Sequence, residues 1–407
     1  MTHAIKIRGW PRLWQTGLLA TVLALAVAGA ALQTAQRSQP KASAPAAHTG
    51  TIPITEFARI VQDFSEEGGY FFSDNFTSNE SAYLYILEPL RQLGGTGGAY
   101  VGVGPEQNFT YIAKVRPQIA FIIDIRRQAI LQHLMYKAVF QLAPDRAQFL
   151  SLLLSRPLTA FRNGAKPPGR DTPIDETLRY MAATPTSQEV FDANLARIEK
   201  TIQKGFHVPL TAKDRGDLSY VYRAFWRANL EISFRVGGSP YGQTRYGYAF
   251  PTLTDLILAT DQQGRRGNFL ARDEDYQFVR ELQLQNRIIP VVGDFAGPKA
   301  LATIGDYLRK NGYTLTLFYA SNVEQFLFEG DVFKNFAANL RHMPINRKSL
   351  ILRSVRSNSW MRTAYIPGHR FTPLLEFLSV FFQDYDQGLY RDYWSLVNTH
   401  SISAPQP

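Results

Sequence analysis

The chain has no cysteine. That removes disulfide frameworks, thiolate metal sites, cysteine nucleophiles and a lipid-modified cysteine anchor. Histidine is scarce. His133, His207, His342 and His369 stand far apart, with no HxH or HxxxH pair among them, so no metal is expected. There is no GxSxG string and no phosphate-loop string, which leaves serine-hydrolase and P-loop chemistry without local support. Long apolar runs are also missing. Only one stretch approaches the length needed to span a bilayer, and this excludes a multi-span membrane protein. Charged residues make up 19% and hydrophobic residues 45% of the 407 positions. That balance is ordinary for a globular chain and excludes wholesale disorder. The net charge of +10 permits contact with anionic partners.

The one apolar run lies at the N-terminus. Lys6, Arg8 and Arg12 precede an uncharged stretch from Gly17 to Leu32, and Ala28-Gly29-Ala30 offers a small-residue cleavage site. Residues 1–32 read as a cleaved signal peptide or a retained membrane anchor, with the basic flank in the cytosol and the rest exported to the periplasm or held at the membrane. Residues 33–50 are rich in Ala, Ser, Pro and Gln and read as a flexible linker. Residues 51–400 form the folded domain, and 401–407 a disordered tail.

Within that domain, strands and helices alternate. Strands are predicted at Ala99–Val103, Ile119–Ile125, Ile288–Val292, Thr314–Tyr319 and Ser349–Val355. Helices are predicted at 82–93, 105–115, 127–142, 298–311, 332–340 and 370–382. The run IAFIIDI at 119–125 is apolar throughout, as in a strand buried on both faces. The order predicts an α/β fold with a Rossmann-like, mostly parallel sheet. A helical insertion from about 144 to 286 separates the second strand from the third, with its strongest stretches at 187–204 and 214–234. Gly- and Pro-rich loops at 164–170 and 237–247 break it up.

The first strand and its turn carry the most chemistry. Gly102-Val103-Gly104-Pro105-Glu106-Gln107 follows an apolar strand and opens a helix, and Asp124 closes the next strand 22 residues after Gly102. Glycines there let a ligand approach free helix N–H groups, and an acid at that distance suits a ribose. The alternative is a tight turn with an Asp capping the next helix. Arg126-Arg127 could bind phosphate or carboxylate. Ser73-Asp74-Asn75 and Ser78-Asn79-Glu80 suit turns and caps, or a segment folded over the cleft. Residues 215–245 mix arginine with aromatics, but the first half has helical spacing. Nucleic acid is not expected there, and an anionic lipid or glycan fits better.

These features resemble a class I S-adenosylmethionine (SAM) methyltransferase. They also resemble an uncharacterised bacterial family with the strings GGYF, SDN, SNE, GVGPEQNFTYI and DIRR, here Gly68–Phe71, Ser73–Asn75, Ser78–Glu80, Gly102–Ile112 and Asp124–Arg127. The resemblance implies a nucleoside-type ligand, SAM, at the carboxyl ends of the strands. Gly102 and Gly104 would flank its methionine end, Asp124 would hold the ribose, and Asp294 with Phe295 would lie beside adenine. Glu106, Gln107 and Arg126 complete the implied cofactor set. Glu106 replaces the usual third glycine, and would either meet the cofactor's amine or serve the helix dipole. Tyr319, Asn322 and Glu324 would face the acceptor, with Glu324 the candidate base. Asn75, Asn79 and Glu80 would lie on the substrate side. The alternatives are a non-catalytic binding module on the same fold and an NAD(P)-dependent oxidoreductase.

Overall fold

Nine strands form two sheets in the computed structural model, which describes residues 50–159, 166–236, 250–356 and 366–403. The N-terminal segment and almost all of the linker, the loop at 237–247, part of the loop at 164–170 and the last four residues lie outside the described residues. No helix among the described residues is long and apolar enough to cross a membrane.

The strands are β1 (Ser73–Asp74), β2 (Ala99–Gly102), β3 (Ile119–Asp124), β4 (Arg235–Val236), β5 (Ile288–Val292), β6 (Leu315–Ser321), β7 (Leu350–Arg356), β8 (Phe371–Phe377) and β9 (Ile402–Ser403). Seven of them form the main sheet, in the order β5-β3-β2-β6-β7-β8-β9. The first five are parallel, and β8 and β9 are antiparallel to their neighbours. The fold is thus α/β with a mostly parallel sheet, compatible with a Rossmann-like arrangement. All residues of β2, β3 and β5 are buried, as their unbroken apolar sequences require when helices cover both faces.

A run of helices separates β3 from β5. After β3 and the helix Arg127–Leu142 the chain runs through helices at Arg146–Leu154, Ile174–Ala183, Gln188–Lys200, Ala212–Ala228, Leu253–Leu258 and Asp273–Leu284. It then returns to pair β5 beside β3 in the same sheet. The Ala212–Ala228 helix starts at a capping box, with Thr211 and Asp214 satisfying each other's backbone N–H. Asp214 also accepts from Arg127 Nε at 3.0 Å, which ties the insertion to the start of the helix after β3.

Two expectations at the C-terminal end are corrected. The helix expected over 370–382 is β8 followed by a helix at Leu378–Asp386. Phe371, Leu374, Leu375, Leu378, Phe381 and Phe382 recur at helical spacing, so the pattern alone favours a helix. Pairing along all seven residues of β7 overrides it, and buried Glu376 in β8 reaches Arg353 in β7. Ile402 and Ser403, expected in a disordered tail, pair with Leu375 and Leu374.

Chain order reverses between β2 and β6. The chain moves from β2 outward to β3 and β5, then returns to β6 on the other side of β2. Ligands of such sheets bind in the crevice at the carboxyl ends of the strands on either side of a reversal like this.

Candidate functional site

A cavity of about 460 Å³ opens at that crevice. Its floor is the carboxyl edge of the sheet. Gly104 and Pro105 contribute from beyond β2, Asp124 and Arg126 from the end of β3, Asp294 and Phe295 from beyond β5, and Tyr319, Ser321 and Asn322 from β6. The cover is the segment before β2. Phe71, Asn75, Asn79 and Glu80 line the cavity from that side. This segment is held by β1, which pairs with β4 of the insertion. Gly69 passes so close to Ile125 that a Cβ would lie 2.5 Å from its side chain, and the Gly69 N–H donates to the Ile125 carbonyl at 2.7 Å.

The two glycines of the first turn do different work. Gly104 has φ +89°, a conformation that disfavours any side chain, and nothing stands within 4 Å of where its Cβ would be. Gly102 faces inward, where a Cβ would lie 2.3 Å from Asn108 Oδ1 and 2.5 Å from the Tyr100 hydroxyl. It is a packing glycine and does not line the cavity. Side chains fix the turn from below. Asn108 Nδ2 donates to the carbonyls of Val103, Gly104 and Pro105 at 2.8–3.0 Å, and His133 Nε2 lies 2.8 Å from the Gly104 carbonyl. Burial pushes His133 down to about 4, so the ring is neutral and its Nε2 carries the donated proton.

Asp124 stands where a ribose acceptor was expected, but most of its capacity is taken. Its Oδ1 accepts from the Arg126 backbone N–H at 2.9 Å and from Nε at 3.0 Å, and its Oδ2 accepts from Nη2 at 2.9 Å. Arg126 Nη1 donates to the Ser73 carbonyl at 2.7 Å, which anchors the cover. Asp294 Oδ1 accepts from the Ala296 N–H at 2.9 Å. The neighbouring helix Ala300–Lys310 is capped from outside. Glu66 accepts from the backbone N–H groups of Asp294, Lys299 and Ala300 at 3.1, 2.9 and 2.7 Å, so an internal carboxylate fills that helix's anion position.

Glu80 is the hub of the opposite wall. Its Oε1 accepts from the Tyr319 hydroxyl at 2.7 Å and from Ser321 Oγ at 2.6 Å, and its Oε2 accepts from Gln107 Nε2 at 2.9 Å. Burial and the charge of Glu80 push the Tyr319 phenol well above its ordinary value, so Tyr319 is a donor and not a base. Gln107 is buried behind the wall, where it also donates to Tyr111 and Tyr319. Ser321 has φ +51°, in the left-handed region, at the end of β6. Thr77 Oγ1 is buried beside the cavity with no hydrogen-bond partner.

Four expected site residues do not line the cavity: Gly102 and Gln107, described above, and Glu324 and Glu106. Glu324 is buried and pairs with Arg353 Nε at 2.5 Å, and Arg353 Nη1 pairs with Glu376 at 2.6 Å. Burial opposes the charge on Arg353, but the two carboxylates outweigh it and hold the guanidinium above its ordinary value. Glu106 is also off the cavity surface. Its Oε1 accepts from the Ser78 N–H at 3.1 Å, its Oε2 has no partner, and burial pushes it up to about 7.

Other lining residues were missed by sequence reasoning: Phe72, Ser321, Phe326, Arg356 and Arg370. Ser321 was legible as a neighbour of Asn322. Arg356 ends β7, the strand predicted at 349–355, and reaches this edge with the other parallel strands; Arg370 carried no signal, because only the antiparallel pairing of β8 with β7 brings it here.

No curated protein matches the chain. A family profile does match, over residues 75–210 and 240–380, and these two segments include every cavity-lining residue from β2, β3, β5 and β6. They make up more than half of the sequence, and the chain belongs to the family described as a domain of unknown function (DUF7790).

Proposed function

We propose that this protein binds a nucleoside-type cofactor, SAM, in the cavity at the carboxyl edge of the sheet, and that it acts as a methyltransferase. The observation that carries the reading is the convergence at the reversal point. An open glycine turn, Gly104, meets acids from the next two strand ends, Asp124 and Asp294, around one cavity. The residues present fit such a ligand. A carboxylate offers about four acceptor positions, and Arg126 takes three of those on Asp124, which leaves one for a ribose hydroxyl. The buried Thr77 hydroxyl, without a protein partner, is available to the same ligand. Phe295 supplies a flat apolar surface beside Asp294.

When bound, the cofactor supplies the activated methyl group. The chain's part is positioning and electrostatics. Glu80 takes the acceptor-side carboxylate position that Glu324 does not occupy, and Tyr319, Ser321 and Gln107 orient it. Asn322, at the end of β6, is a further polar contact for the acceptor. The N-terminal segment is proposed to export the domain or tether it to the membrane.

The oxidoreductase alternative loses its main support, because Arg126 and Arg127 are paired with Asp124 and Asp214 and are not open to a 2′-phosphate. The burial of Glu324 favours a second reading, a binding module that keeps the ligand but transfers nothing. A thermal-shift and calorimetry panel of SAM, S-adenosylhomocysteine and nicotinamide nucleotides tests the ligand. At 100 times its dissociation constant the correct ligand adds about 2.7 kcal/mol of stability. Binding of a nicotinamide nucleotide, or of none of the panel, would overturn the proposal. Binding of SAM without methyl transfer to any acceptor would leave the binding module.

A further inference from the structure

The carboxyl edge of the sheet has two flanks that differ in make-up. At one, the ends of β3 and β5 carry Asp124 and Asp294. At the other, the antiparallel register sets Arg356 of β7 opposite Phe371 of β8. The start of β8 therefore lies at the same edge as the end of β7, and Arg370, one residue before β8, stands beside Arg356. Both arginines line the cavity. Arg370 Nε is buried and has no hydrogen-bond partner. Its guanidinium lies over the rings of Phe250, 4.8 Å from the centroid, and Phe371, 5.6 Å from the centroid. Burial and the like charge of Arg356 both push Arg370 below the ordinary arginine value.

A buried guanidinium N–H without an acceptor is unfavourable. One oxyanion at Arg370 relieves it, and the flat fork of arginine suits a carboxylate or a phosphate. The rest of this flank is aromatic. Phe234, Phe250 and Phe371 line the cavity there, and Phe234 packs on Phe250 with ring centroids 4.7 Å apart.

We infer that Arg370 forms an anion subsite, and that the molecule entering this flank is an apolar body carrying a carboxylate or a phosphate. The role of that molecule as methyl acceptor rests on the function proposed above. The subsite itself does not.

Calorimetry on the full chain at physiological salt tests it with three probes: phenyl phosphate, benzoate and neutral benzyl alcohol. At least one anion should bind about tenfold or more tighter than benzyl alcohol, as a charge-assisted contact predicts. Which anion does so separates phosphate from carboxylate. Arg370→Gln should remove that advantage and leave benzyl alcohol binding within about twofold. Arg370→Lys keeps the charge without the fork and should fall between the two. It also serves as the second variant if Arg370→Gln does not fold. Anions that bind wild type no better than benzyl alcohol would overturn the inference. So would anion affinity unchanged in the folded Arg370 variant. S-adenosylhomocysteine is titrated into the same proteins. Its failure to bind wild type would remove the cofactor reading without touching the subsite, and its retention in Arg370→Gln alongside lost anion binding would support both.

Discussion

Arg126 closes its guanidinium around the carboxylate of Asp124, two residues earlier, with three donors between 2.9 and 3.0 Å. Both residues are buried, and the same arginine holds the Ser73 carbonyl of the cover. The pair thus sets the shape of the site before any ligand arrives.

Removing one partner of a buried ion pair leaves the other charge uncompensated, at about 3–5 kcal/mol. Asp124→Asn should lower unfolding stability by about 3 kcal/mol without ligand, and Asp124→Asn with Arg126→Met should be less costly than Asp124→Asn alone. Urea denaturation of the three proteins reads this directly. A single variant within about 1 kcal/mol of wild type would mean that the pair does not lock the site.

Much of this site was legible because parallel strands put all their carboxyl ends on one edge. Once β2, β3, β5 and β6 are placed from their apolar runs, Gly104, Asp124, Asp294 and Asn322 converge without further information. Side-chain direction was not legible. Glu324 and Glu80 are both acids near helix starts in sequence, yet one faces Arg353 and the other the cavity, and only packing decides which. Glu106 likewise turns under the cover towards the Ser78 N–H. The misread β8 hid Arg370, because helical spacing and a seven-residue antiparallel strand fit the same apolar residues. The Arg126–Asp124 fork was also invisible, since adjacent charges in sequence do not announce whether they face each other.

Gly104 combines a positive φ with open space in the cavity. Gly104→Val should weaken S-adenosylhomocysteine binding tenfold or more, because the side chain both resists that backbone angle and occupies ligand space. The stability loss should stay near 1–2 kcal/mol, since no protein atom is met. Calorimetry paired with a melting curve separates the two effects. Unchanged affinity in the folded variant would move the ligand away from the turn.

Glu324 should matter to folding and not to ligand. Glu324→Gln leaves Arg353 with Glu376 as its remaining carboxylate and should cost about 2–4 kcal/mol, with S-adenosylhomocysteine affinity within twofold of wild type. If the variant melts like wild type but loses methyl transfer, Glu324 reaches the acceptor and its assignment to the ion pair fails.

Glu106 gives a pH signature with a defined sign. Its folded value is raised by burial from 4.5 to about 7. Below about pH 4.5 the carboxyl is protonated in both the folded and unfolded chain. Between 4.5 and 7 only the folded chain keeps the proton, so stability falls as pH rises; above about 7 both forms are ionised and the loss is constant. A shift of this size corresponds to about 3 kcal/mol. Glu106→Gln removes the titrating group while keeping an acceptor for the Ser78 N–H. The variant should therefore match wild type near pH 4.5 and exceed it by about 2–3 kcal/mol at pH 8. Lys137, which burial pushes down to about 7, titrates in the same range but is common to both proteins and cancels in the difference. Urea unfolding of the pair from pH 4.5 to 8 supplies the measurement. Parallel profiles would show that Glu106 is ionised in the folded protein at an ordinary value, and that its unpartnered oxygen is in contact with water.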